Sequence, residues 1–106
     1  MRVLFDQGTP APLRRLLAGH AVATAYELGW ATLKNGELLA AAEVQAFDVL
    51  VTTDTSLKYQ QNLALRRIAI VVLGTTSWPR IKAARAVVVA AVEAATRGSY
   101  TEVAIP

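Results

Sequence analysis

Two aspartates carry the chemistry this chain can be expected to do. Asp6 follows the apolar run Arg2–Phe5 directly, and Asp54 follows Val49–Thr52 by two residues. Glu27 comes two or three residues after a third run, and Glu37 falls in the first turn of a predicted helix. Carboxylates brought together repel unless a cation or a proton intervenes. The chain has no cysteine, and its one histidine, His20, opens a strand at the far end from the acids. A hard, oxygen-seeking ion, Mg²⁺ or Mn²⁺, is therefore the expected guest. Such an ion activates water and neutralises charge at a phosphodiester. Thr52, Thr53 and Asn35 are placed to orient the carboxylates or their waters. Each aspartate also has a purely structural reading, Asp6 as the start of the Asp6-Gln7-Gly8 turn and Asp54 as a helix N-cap. Glu43 and Asp48 read as solvated, and Glu93 as part of a polar helix face.

These acids need elements to position them. Strands are expected at Arg2–Phe5, His20–Ala25, Val49–Thr52 and Ile68–Leu73, with a possible edge strand at Thr101–Ile105. Between them lie helical patterns: one after Thr9 (cap) and Pro10, ending at Gly19; Gly36–Ala46, capped by Asn35; a short helix or turn from Asp54; and a last helix over about 79–97. The last helix carries a polar stripe of Lys82, Arg85, Glu93 and Arg97. Alternating strands and helices predict an α/β fold, a parallel sheet of four to five strands covered on both faces. Right-handed crossovers leave few topologies, and the simplest places the first and third strands side by side, the second outside the first and the fourth outside the third. Winding reverses between the first and third, and open α/β sheets bind ligands beyond the carboxyl ends of strands at such a point.

Composition bounds the rest. A chain of 106 residues predicts one domain, spanning 1–106. With 54% hydrophobic and 18% charged residues it is not a disordered chain, and without cysteine it is neither a disulfide scaffold nor a cysteine zinc site. Its longest apolar runs, Ile68–Leu73 and Ala86–Val92, are too short to span a bilayer, and no signal peptide is visible, so a cytoplasmic protein is expected. The net charge of +3 divides unevenly: residues 1–54 hold four basic and six acidic groups, residues 55–106 seven and two. The basic half suggests a polyanionic partner. Arg14, Lys58, Tyr59, Gln60, Gln61, Asn62, Arg66 and Arg67 are the candidate RNA contacts, through phosphate pairing and base stacking. Trp30 and Trp78, beside predicted helix starts, read either as stacking or interface residues or as packing on the sheet.

The ordered set Val3-Leu4-Phe5-Asp6, Gly19-His20-x-Val22, Leu38-Leu39 with Ala42, and Leu50-Val51-Thr52-Thr53-Asp54 resembles the short PIN-like proteins. These are trimmed relatives of the PIN nuclease domain of VapC-type toxins in bacterial toxin–antitoxin pairs. Glu27-x-Gly29-Trp30, Asn35-Gly36-x-Leu38-Leu39, Tyr59-Gln60-Gln61-Asn62-Leu63 and Arg67–Leu73 look like one bacterial subgroup of them, so the resemblance covers roughly residues 2–80. It implies a Rossmann-like three-layer α/β/α fold and an Mg²⁺- or Mn²⁺-dependent ribonuclease site. Asp6 matches the first acid of the family and Asp54 the acid of its Thr-x-Asp motif. The family's acid at the start of the middle helix falls near Asn35 or Gly36, where this chain offers Glu37 instead, and its remaining acid has only a loose counterpart in Glu27. An antitoxin protein is the implied partner. A module that binds RNA or protein without turnover, and a homodimer burying apolar surface, are the competing expectations.

Overall fold

The structure is a computed structural model and describes residues 1–60 and 62–106, Gln60 as backbone only. Five short strands, β1 (Arg2–Phe5), β2 (Ala21–Thr24), β3 (Val49–Thr52), β4 (Ala69–Leu73) and β5 (Tyr100–Val103), form one sheet in the order β2-β1-β3-β4-β5. Every pairing is parallel. The three inner strands are apolar on both faces because helices cover both, as parallel sheets require. Val3, Phe5, Val49, Val51 and Val71 meet Leu13, Leu17, Ile81, Val88 and Val92 on one side. Leu4, Leu50, Ile70 and Val72 meet Leu38, Leu39, Ala42 and Leu57 on the other. The protein is thus an α/β fold of three layers.

The covering elements are a 3-10 helix (Ala11–Leu17), α1 (Asn35–Val44), α2 (Leu57–Gln60), α3 (Trp78–Ala83) and α4 (Arg85–Glu93). They depart from the sequence expectation in four ways. The segment after Thr9 is a 3-10 rather than an α-helix: Pro10 is its cap residue, and Thr9 turns its hydroxyl inward instead of capping. Asn35 is the first residue of α1, not its cap. Lys34 takes that place, and its N–H donates to Glu37 Oε1 at 3.2 Å. The turn after Asp54 becomes helical only at Leu57. The single helix expected over 79–97 is two helices, broken at Ala84 (φ −99°, ψ 18°). A straight helix of that length would run about 28 Å, well past the roughly 16 Å of strand beneath it. The break keeps Ile81, Val88 and Val92 all on the sheet. The chain then turns into β5 through Gly98, whose positive φ of 77° suits glycine.

Among the described residues no helix is long and apolar enough to cross a membrane.

Candidate functional site at the switch point

β1 is followed by a crossover to β2 on one side, while β3, β4 and β5 build outward on the other, so the crest above β1 and β3 is the switch point of the sheet. Neighbouring strands lie about 4.8 Å apart. Asp6 leaves β1 here, its N–H donating to the Val51 carbonyl at 3.2 Å, and Asp54 leaves β3 two residues past the sheet.

Hydroxyls and backbone N–H groups hold both carboxylates. Asp6 Oδ1 accepts from the Thr9 N–H (3.2 Å) and from Thr9 Oγ1 (2.8 Å), a hydroxyl that also lies 2.9 Å from the Val51 carbonyl oxygen. Asp6 Oδ2 accepts from the Thr52 hydroxyl. That same Thr52 oxygen accepts the Asp54 N–H at 3.1 Å, so one buried side chain, 1% exposed, ties the two acidic residues together. Asp54 Oδ1 accepts from the Ser56 N–H (2.9 Å) and hydroxyl (2.7 Å), and Oδ2 from the Asn35 amide (2.7 Å). The Ser56 hydroxyl is the largest influence holding the Asp54 carboxyl below its ordinary value of 3.8; burial opposes it, and Asn35 and the Ser56 N–H assist. The loop before Thr9 passes so close that a Cβ at Gly8 would overlap Thr53 Oγ1.

The other two acids are engaged elsewhere. Glu27 pairs with Arg14 and accepts the Thr24 N–H at 2.9 Å, while its own N–H donates to Thr24 Oγ1 at 3.1 Å. Arg14 and Thr24 together push the Glu27 carboxyl down to about 2. Glu37 closes the first turn of α1. Among the described residues no three of His, Cys, Asp and Glu gather closely enough to hold a metal ion.

The expected RNA contacts scatter. Lys58 pairs with Glu102 at 2.6 Å and Tyr59 is 80% exposed. The side chain of Asn62 caps the Ala64 N–H at 3.1 Å. Arg66 pairs with Glu43 at 2.7 Å, and the Arg67 N–H donates to the same carboxylate at 2.8 Å. Both arginines precede β4 and so sit at the amino edge of the sheet, about 16 Å of strand away from the crest. The β3–β4 crossover carries the chain to the opposite end, so closeness to Asp54 in sequence does not persist in space. Gln61 and the side chain of Gln60 lie outside the described residues. Trp30 packs edge-on against Phe47, centroids 6.2 Å apart, and is a packing residue. His20 lies 3.2 Å from the terminal amine and 3.7 Å from Glu93.

Sequence reading missed Ser56 and the inward role of Thr9. The Asp-x-Ser spacing that makes an Asx turn was the available signal for Ser56; the Asp6-x-x-Thr9 spacing was the local signal for the Asp6 contact, whereas nothing local marks the approach of Thr9 to Val51 of β3.

Fold and site define an open, all-parallel α/β protein with two braced carboxylates at its switch point. Set against protein-family models, curated proteins and solved structures, the chain has no match.

Proposed function

We propose that the protein is a PIN-like, Mg²⁺- or Mn²⁺-dependent ribonuclease that hydrolyses RNA phosphodiesters at the crest above β1 and β3. The observation that carries this reading is the Thr52 hydroxyl joining Asp6 to Asp54. A carboxylate has about four acceptor directions. Each aspartate has three donors in place, which leaves one direction open on each Oδ2. Two carboxylates, with water and substrate phosphate completing the shell, match the way Mg²⁺ is commonly bound. Asp6 and Asp54 would hold the ion, and Thr9, Thr52, Asn35 and Ser56 fix their oxygens. The ion, when bound, supplies charge neutralisation at the phosphate and a more acidic water. The net charge of +3 favours a polyanionic substrate.

A second reading, a module that binds RNA without cutting it, is favoured by the engagement of Glu27 with Arg14 and of Glu37 with the α1 terminus. Both acids would otherwise complete the site.

One experiment separates them. Single-stranded RNA is incubated with wild type and with Asp6→Asn/Asp54→Asn in Mn²⁺, and a thermal-shift titration is run in parallel. The nuclease reading expects Mn²⁺-dependent cleavage lost in the double variant. It also expects Mn²⁺ at about a hundred times its Kd to stabilise wild type by about 2.7 kcal/mol, or roughly 10 °C or more. Equal cleavage by the double variant, or a wild-type Tm that does not move, overturns it. Salt-sensitive RNA binding without cleavage establishes the second reading.

A further inference from the structure

We propose that the cleft beside Asp6 receives one nucleobase of a single-stranded RNA, stacked against Tyr26 and Trp78. The cleft encloses about 450 Å³ between the carboxyl ends of β1, β2 and β4. That is within the size range of small-ligand sites. Its walls include Asp6, Gln7, Thr24, Tyr26, Thr76 and Trp78. That the guest belongs to RNA rests on the function proposed above; that the cleft takes a base rests on the cleft.

Three observations select the guest. First, no lysine or arginine is among the residues lining the cleft, and Asp6 contributes a carboxylate. A phosphate entering there would meet like charge, whereas a neutral planar ring would not. Second, aromatic surface is available at the cleft. Tyr26 is 81% exposed, and among the described residues its ring stacks on nothing. Its backbone is nevertheless pinned, because the reciprocal Thr24–Glu27 hydrogen bonds and the Arg14–Glu27 pair clamp the turn that carries it. Trp78, the first residue of α3, is half-buried and packs on the core while lining the cleft. The Trp78 ring, held against the core, loses little freedom when a base stacks on it, and Tyr26, on a pinned backbone, gives up only side-chain rotation. Third, Gln7, Thr24 and Thr76 offer amide and hydroxyl groups to the edges of a base.

Asp6 belongs both to the crest and to the cleft wall. A phosphodiester lying over the crest would therefore leave an adjoining base within reach of the cleft, and Tyr26 and Trp78 would set where along a strand the chain is held. Stacking is tolerant of base identity, so the site selects unpaired RNA over duplex rather than one sequence.

The test uses the full chain in EDTA, so that binding is read without turnover. A ten-nucleotide oligoadenylate and a ten-unit abasic ribose-phosphate chain of equal charge are titrated, with fluorescence anisotropy giving Kd. Wild type is expected to bind oligoadenylate at least tenfold more tightly than the abasic chain. Tyr26→Ala is expected to weaken oligoadenylate binding about tenfold, with Tyr26→Phe within twofold of wild type. Because Tyr26 is exposed, an unchanged Tm verifies that the alanine variant is folded. Equal binding of the two polymers, no binding of oligoadenylate, or a Tyr26→Ala variant within twofold of wild type overturns the proposal. The nuclease reading is scored separately: Mn²⁺-dependent cleavage that persists without base binding discards the cleft alone, and base binding without cleavage discards the nuclease alone.

Discussion

Thr52→Val probes the joint between the two aspartates at constant shape. Thr52 is 1% exposed, donates to Asp6 and accepts from the Asp54 N–H at 3.1 Å. Valine keeps the β-branched outline that suits a strand. Removing the hydroxyl deletes a hydrogen bond to a charged acceptor, a loss of about 1.5–3 kcal/mol. The Asp54 N–H also loses its partner; because Asp54 is only half-buried, water replaces part of that bond, and the further cost is about 1 kcal/mol. The added methyl returns about 0.8 kcal/mol. The net expectation is a destabilisation of about 2–3 kcal/mol, large against a total stability of about 5–15 kcal/mol but not enough to unfold the chain. Urea unfolding reads this as a lower midpoint with an unchanged m-value. Thr52→Ser, which keeps the hydroxyl, is the control and should lose only the methyl contribution, about 1 kcal/mol. A Thr52→Val variant within about 0.5 kcal/mol of wild type, or a serine variant as unstable as the valine variant, would refute the reasoning.

Two other consequences follow from the loops of the crest. Gly8→Ala pushes a Cβ into Thr53 Oγ1 and should cost about 1–3 kcal/mol, with most of the loss recovered in Gly8→Ala/Thr53→Ala; a double-mutant cycle without coupling would show that the approach is not the cause. Ser56→Ala removes the main influence that depresses the Asp54 carboxyl, so the folded pKa should rise toward 3.8. A depressed carboxylate stabilises the fold above its unfolded pKa, and that stability is lost as pH falls through the folded pKa. The variant should therefore trail wild type by about 1 kcal/mol near neutral pH and converge with it in acid; a gap that is constant with pH in urea titrations would count against the assignment.

The layout of this protein was legible because its signals are local. Apolar runs four to six residues long, cut by Asp-Gln-Gly, Gly-His and Gly-Thr-Thr clusters, mark the strands, and β1 and β3 occur with the expected bounds. Right-handed connection then leaves few strand orders, and the simplest of them, β2-β1-β3-β4, is the one the sheet adopts. That order alone brings Asp6 and Asp54 to one edge. The break at Ala84 was not legible, since no proline or glycine marks it; it answers to the length of strand the helices must cover. The placement of Arg66 and Arg67 at the opposite edge follows from the crossover, which sequence distance conceals.

What the sequence by itself determined is which residues end the three inner strands, Phe5, Thr52 and Leu73, because backbone propensity and turn chemistry act over a few neighbours; the edge strands β2 and β5 end one and two residues earlier than their apolar patterns. What only the tertiary structure decided is which side chains those carboxylates meet. Thr9 reaches Asp6 and Val51, Thr52 bridges Asp6 and Asp54, Arg14 takes Glu27, and Gly8 admits Thr53. Apart from Thr9–Asp6 and Thr52–Asp54, which lie within one loop and one strand end, these contacts join different elements distant in the chain. Their partners are chosen by parallel register and loop packing, which no local pattern encodes.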